Sequence, residues 1–195
     1  VVFGSADVPQ AIIDHAESLG ANLLLRGRDY SLDSVPQPGL RGEFQIGNAA
    51  AVLALLRAAG LEEAAEEKLA AAVLPEVELI GRGHSIEQDG VEWLLDVAHN
   101  PAAAEVLAAT LGSEQHPGET TAIIGMLDDK DIGGVVEPLN QHIDRWIAVT
   151  AESHRAVPAG ELARQIANVC GRPCLIAESL DEAMKSARRD ASIND

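Results

Sequence analysis

The chain has 195 residues, 47% of them apolar and only 3% aromatic, so it can bury a sizeable core built mainly from alanine, leucine, valine and isoleucine. Its 31 acidic residues against 14 lysines and arginines leave a formal net charge of −17, which repels nucleic acid and anionic lipid and requires local features to hold any phosphate ligand. No apolar run approaches the roughly 20 residues of a membrane helix, Val1-Val2-Phe3-Gly4 lacks the basic and apolar regions of a signal peptide, and Cys170 and Cys174 are too few for a disulfide framework and spaced unlike a zinc site, so free thiols in a reducing cytoplasm are expected.

In chain order, a strand is expected at Val1–Phe3, a helix over Pro9–Leu19 and a strand at Leu23–Arg26, followed by the punctuated stretch "SLDSVPQPGLRGEFQIGN". Helices are expected over Ala49–Ala59, stopped by Gly60, and over Leu61–Val73. Pro75 and the extended "LPEVELIGRG" read as a linker, and "GRGHSIEQDGVEWLLD" as a hairpin turning at Asp89-Gly90. From Trp93 the order becomes regular: strand to Val97, helix Ala102–Thr110, strand Thr121–Met126, helix near Ile132–Ile143, strand Trp146–Thr150, helix Gly160–Val169, strand Cys174–Ala177, helix Leu180–Arg188. Such alternation predicts an α/β fold with a mostly parallel sheet flanked by helices. Gly133, Gly134 and Pro138 weaken the second of these helices, and Pro138 should kink it or start it late. There is no internal repeat. The chain opens inside a strand pattern without a methionine and ends on "RRDASIND", a helix exit with no strand after it, as expected of a segment of a larger protein whose last strand is missing.

Polar clusters fall at three expected strand ends, the edge where open α/β sheets bind ligands. In "LLDVAHNPAAAEVLAATLG" the strand closes on Asp96, His99 and Asn100 just before a proline-started helix. Asp96 can accept hydrogen bonds from ribose hydroxyls, or can simply solvate a loop. His99 can orient a carboxylate or phosphate through a ring N–H, or pack beside the helix start. Asn100 is most economically an N-cap. In "GMLDDKDI", Asp128, Asp129 and Asp131 around Lys130 could hold a divalent cation, but equally suit the first turn of a helix, where acids complement the dipole. In "ESHRAVPAGELA", Glu152, His154 and Arg155 follow a strand, and Arg155 is a candidate anion clamp or a solvated loop arginine. No metal site is assigned. No GxxxxGK(S/T), GxGxxG or HExxH occurs, so the chain carries no phosphate loop, dinucleotide fingerprint or zinc-protease motif of its own.

Together, "LLDVAHNPAAAEVL" and "IIGMLDDKDI" closely resemble the carboxyl-terminal domain of the folylpolyglutamate synthase/dihydrofolate synthase family of the Mur ligase superfamily, and "PQPGLRGEFQIGNAAAVLALLRAAG" and "LIGRGH" resemble family segments upstream of it. The resemblance implies that residues 1–78 end a P-loop-type central ATPase domain and its linker, and that residues 79–195 form a Rossmann-like glutamate-ligase domain. It further implies that the two domains clamp ATP, with Asn48, placed before an alanine-rich helix, on the adenine, Arg82 on the phosphates and Asp96 on the ribose. His99 would lie near the incoming glutamate and the acyl phosphate, as the catalytic residue. The implied reaction is ATP-driven addition of L-glutamate to dihydropteroate or a reduced folate through an acyl phosphate, in a cytoplasmic monomer without nucleic-acid or membrane partners. Magnesium (Mg2+) is the implied metal, its ligands lying upstream of these residues. Two alternatives stay open: a stand-alone nucleotide-binding or regulatory module, and another Mur-superfamily ligase acting on a cell-wall precursor.

Overall fold

The computed structural model describes residues 1–191 except 6, 43, 89 and 114–117. It divides into two compact units, Val1–Arg82 and Gly83–Asp195.

In the first unit, β1 (Val2–Phe3) pairs in parallel with β2 (Leu24–Leu25), and α1 (Gln10–Ser18) lies between them in sequence. α2 (Phe44–Ala58) starts earlier than the expected Ala49. Gly47 lies inside the helix, where a Cβ would stand 3.4 Å from Arg26 Nη1. The expected helix Leu61–Val73 is split into a 3₁₀ turn, Glu62–Ala65, and α3 (Glu67–Val73), with Glu66 extended between them. A continuous helix would stack Glu62 on Glu66 and Glu63 on Glu67, two like-charged i,i+4 pairs. The break still lets Ala65 and Ala70 pack with Leu53 in this unit's small core. A second 3₁₀ turn, Leu74–Glu76, leads into the irregular stretch before Gly83.

The second unit opens with the antiparallel hairpin of β3 (His84–Gln88) and β4 (Val91–Leu95). Gly90 has φ +78°, which suits a tight turn; Asp89, the other expected turn residue, lies outside the described residues. α4 (Pro101–Ser113), β5 (Thr121–Ile124), α5 (Ile132–Leu139), β6 (Arg145–Ala148), α6 (Ala159–Cys170), β7 (Leu175–Ile176) and α7 (Leu180–Asp190) follow. The parallel sheet has the order β5-β6-β7. β4 pairs with β3 in the expected hairpin and, among the described residues, is not hydrogen-bonded into this parallel sheet, where the regular alternation from Trp93 also suggests it. Its Trp93 joins the sheet through packing, against the cluster of Ile147, Val149, Ala177, Ala183 and Ala187.

β6 explains the layering. Its residues alternate between the sheet's two faces: Trp146 and Ala148 enter the larger core with α4, α5 and α6, while Ile147 and the following Val149 enter the smaller one with α7 and Trp93. A strand buried on both faces is what the unbroken apolar run "WIAV" encodes. α5 starts at Ile132, so Pro138 does not delay it; Pro138 is the penultimate helical residue, and the chain tightens into a 3₁₀ turn, Asn140–His142. Lacking an N–H, Pro138 cannot donate to the Gly134 carbonyl four residues back, and its place near the end confines the disturbance to the last turn. Arg172, in the turn after α6, then ties this region down, donating to the carbonyls of Asn140 (2.9 Å), Ile143 and Asp144 (3.0 Å) and to Asn140 Oδ1 (2.9 Å).

Candidate functional site

The loop after β4 is locked by its own polar side chains. Asp96 Oδ1 accepts from the Ala98 N–H and Oδ2 from the Gly83 N–H, both at 2.8 Å, so one carboxylate joins the loop to the residue that leads into the hairpin. Each carboxylate oxygen has two lone-pair directions, so both retain capacity for a hydroxyl donor, and Asp96 is exposed. Asn100 is the expected N-cap of α4: its Oδ1 accepts from the Ala103 N–H at 2.9 Å, three residues on. His99 Nδ1 lies 2.9 Å from the carbonyl of Val97. A carbonyl only accepts, so Nδ1 carries the proton; the neutral ring then presents Nε2 as an acceptor, and an N–H is offered outward only by the imidazolium. The expected N–H toward a carboxylate or phosphate is therefore available from Nε2 only in the imidazolium form.

The other two clusters are zipped to each other. Leu127 and Ala156 form an antiparallel bridge, the Asp128 N–H donates to the carbonyl of Arg155 (2.8 Å) and the Val157 N–H to that of Met126 (2.9 Å). Asp129 takes the ammonium of Lys130 at 3.1 Å and the guanidinium of Arg155 at 3.5 Å. The Lys130 hydrogen bond, with both cations nearby, holds the Asp129 carboxyl below the usual carboxylate range. Asp131 caps α5, accepting from the Gly134 N–H at 2.9 Å. Asp129 is thus committed to ion pairs and Asp131 to a helix cap, and among the described residues no group of three or more His, Cys, Asp or Glu could hold a metal ion. Glu152 and His154 are exposed in the same loop. Gly134 connects this pair of loops to the first one: a Cβ there would fall 2.5 Å from Asp131 Oδ2 and 2.7 Å from Pro101 Cγ. All three sequence clusters thus adjoin in the second unit.

In the first unit, Asn48 does not precede the helix as expected but stands in the second turn of α2, exposed, with Nδ2 donating to Gln45 Oε1 at 2.9 Å. Gln45, which sequence reasoning passed over, is buried. Its spacing three residues before Asn48 was the available signal. Arg82 closes the first unit, with its N–H on the carbonyl of Leu79 and its side chain exposed. Cys170 and Cys174 are free thiols; burial raises both, Cys174 to about 11. No described helix is long and apolar enough to cross a membrane.

Comparison with known proteins places similar chains beside this one. The dihydrofolate synthase/folylpolyglutamate synthase of Escherichia coli (strain K12) is 32% identical over 98% of this chain and 47% of its own. Among solved structures, a bifunctional folylpolyglutamate synthase/dihydrofolate synthase with Mn, AMPPNP and L-glutamate bound superposes with a TM-score of 0.81 at 31% identity, over 100% of this chain and 48% of that one. Escherichia coli FolC in complex with DHPP and ADP gives 0.80 at 30%, over 100% and 48%. The chain spans about half the length of these relatives. Residues 81–195 match the family described as Mur ligase, glutamate ligase domain, and with the site's three loops all falling inside that span, the chain belongs to that family.

Proposed function

We propose that this chain is part of an ATP-dependent amide ligase that adds L-glutamate to dihydropteroate or a reduced folate, as the names of its relatives and the nucleotides and glutamate bound to them suggest. Phosphoryl transfer from ATP to the acceptor carboxylate gives an acyl phosphate and ADP; the glutamate amine attacks its carbonyl, phosphate leaves and the amine loses its proton. The observation that carries the reading is the locked Asp96–Asn100 loop, where a doubly anchored carboxylate, a ring with a committed Nδ1 and a capped helix start stand together.

The proposed roles follow the chemistry of each group. Asp96 accepts from the ribose hydroxyls with its remaining lone pairs, Arg82 pairs with the phosphates and Asn48 reads the adenine. His99 serves the glutamate side: with Nδ1 donating to the Val97 carbonyl, Nε2 is the ring atom left to meet the attacking amine. A magnesium ion belongs with the ATP phosphates, and its ligands are not among the described clusters of this chain. The working protein is proposed to be a cytoplasmic monomer.

The test is ADP formation by the full-length enzyme with dihydropteroate and with tetrahydrofolate, each with and without L-glutamate. Glutamate-dependent amide product with either acceptor is expected; turnover only with a cell-wall precursor would overturn the folate assignment. The isolated 195-residue chain, which has no phosphate loop, should form no product.

A further inference from the structure

Among the described residues, Gln45 is the polar side chain buried most completely, at 6% exposure, and its Oε1 accepts from Asn48 Nδ2 at 2.9 Å. An exposed asparagine amide can turn over at little cost, exchanging its donor and acceptor ends. Here Gln45, one helical turn away and buried, turns its Oε1 toward Asn48, and that orientation sets which end of the Asn48 amide faces it. One of the two Nδ2 hydrogens goes inward to Gln45, leaving a single N–H and the Oδ1 acceptor facing outward.

That remaining pair has a defined complement. The edge of adenine that carries N7 and N6 offers an acceptor beside an amino donor, whereas the same edge of guanine offers two acceptors, N7 and O6. An outward N–H beside an outward carbonyl oxygen meets adenine with two hydrogen bonds and meets guanine with one bond and an oxygen-to-oxygen clash. We infer that Gln45 is a positioning residue that sets the enzyme's preference for adenine over guanine nucleotides by fixing the Asn48 amide. The inference rests on the reading of Asn48 as the adenine contact.

Three variants of the full-length enzyme test it, with the dissociation constants of ADP and GDP measured by calorimetry. Asn48→Ala should reduce the ADP-over-GDP preference about tenfold or more. Gln45→Met, which fills the same space without an acceptor, should reduce it to a similar extent. Gln45→Glu, which can only accept, should retain it. Because the preference is a ratio taken on one folded population, a loss of stability alone does not move it. If Asn48→Ala leaves the ratio unchanged, the adenine reading fails and this inference with it. If Asn48→Ala lowers the ratio while Gln45→Met does not, Asn48 reads the base unaided and the role of Gln45 is wrong. Loss of preference in Gln45→Glu would show that Gln45 donates to Asn48 instead, which also overturns it.

Discussion

His99 and Asn100 are neighbours in one loop, yet their hydrogen bonds point to different jobs. Asn100 spends its side-chain oxygen on the Ala103 N–H, so its removal takes a cap from α4. Asn100→Ala should therefore cost about 1 kcal/mol of stability and lower the melting temperature, before any effect on substrate kinetics. His99 bonds only a carbonyl two residues back in its own loop and remains exposed. His99→Ala in the full-length enzyme should leave the melting temperature and the ATP Michaelis constant nearly intact while lowering turnover with glutamate at least tenfold. A His99→Ala protein that melts early but uses glutamate normally would reduce the residue to loop packing. Of this loop, the cap was legible in the sequence because Asn-Pro before an apolar helix has one economical reading. The second attachment of Asp96 was not, since nothing in local spacing announces a bond to an amide 13 residues upstream.

At the scale of elements, the close approach of α4 and α5 depends on a residue that sequence reasoning counted as a weakness. Gly134 lowers helix propensity, yet it is the point where α5 meets both its own cap and the proline that starts α4. Gly134→Ala should gain helix propensity and still destabilise the second unit by about 1–3 kcal/mol, because the added methyl must displace Pro101 or the Asp131 carboxylate. A thermal melt decides the sign; a stabilised Gly134→Ala would mean that the two helix starts can part freely. The same contrast between local and tertiary signals explains what could be read elsewhere. The αβ alternation after Trp93 was legible because apolar strands and capped helices follow one another at regular spacing. The start of α2 was not, because the stretch before Ala49 is punctuated by Pro and Gly and reads as loop, whereas the helix begins at Phe44 and so contains Asn48. The β3–β4 hairpin was legible from its Asp-Gly turn between strand-like runs, whereas the packing of Trp93 into the parallel sheet's core was not.

At the scale of the molecule, apolar burial is shared unequally. The largest fully buried side chains among the described residues, Trp146, Ile147, Leu162, Ile166, Val135 and Val136, all belong to the second unit. The first unit's core cluster is Leu53, Ala65 and Ala70, while Val52, Leu55, Leu61, Leu69, Val73 and Ile80 stay exposed, and its two strands are two residues each. At about 25 cal/mol per Å² of apolar surface removed from water, alanines contribute far less than the tryptophan and isoleucine of β6. The high acidic excess adds repulsion that a small core resists poorly. Unfolding of this chain should therefore begin in Val1–Arg82, with amides of α2 and α3 exchanging with solvent well before those of β6 and α6. Hydrogen exchange followed by mass spectrometry across a urea series measures this directly. Two separated transitions, the first confined to peptides before Gly83, are expected; a single transition shared by both sets of peptides would show that the units gain and lose structure together, and that the difference between their cores does not govern the order of unfolding.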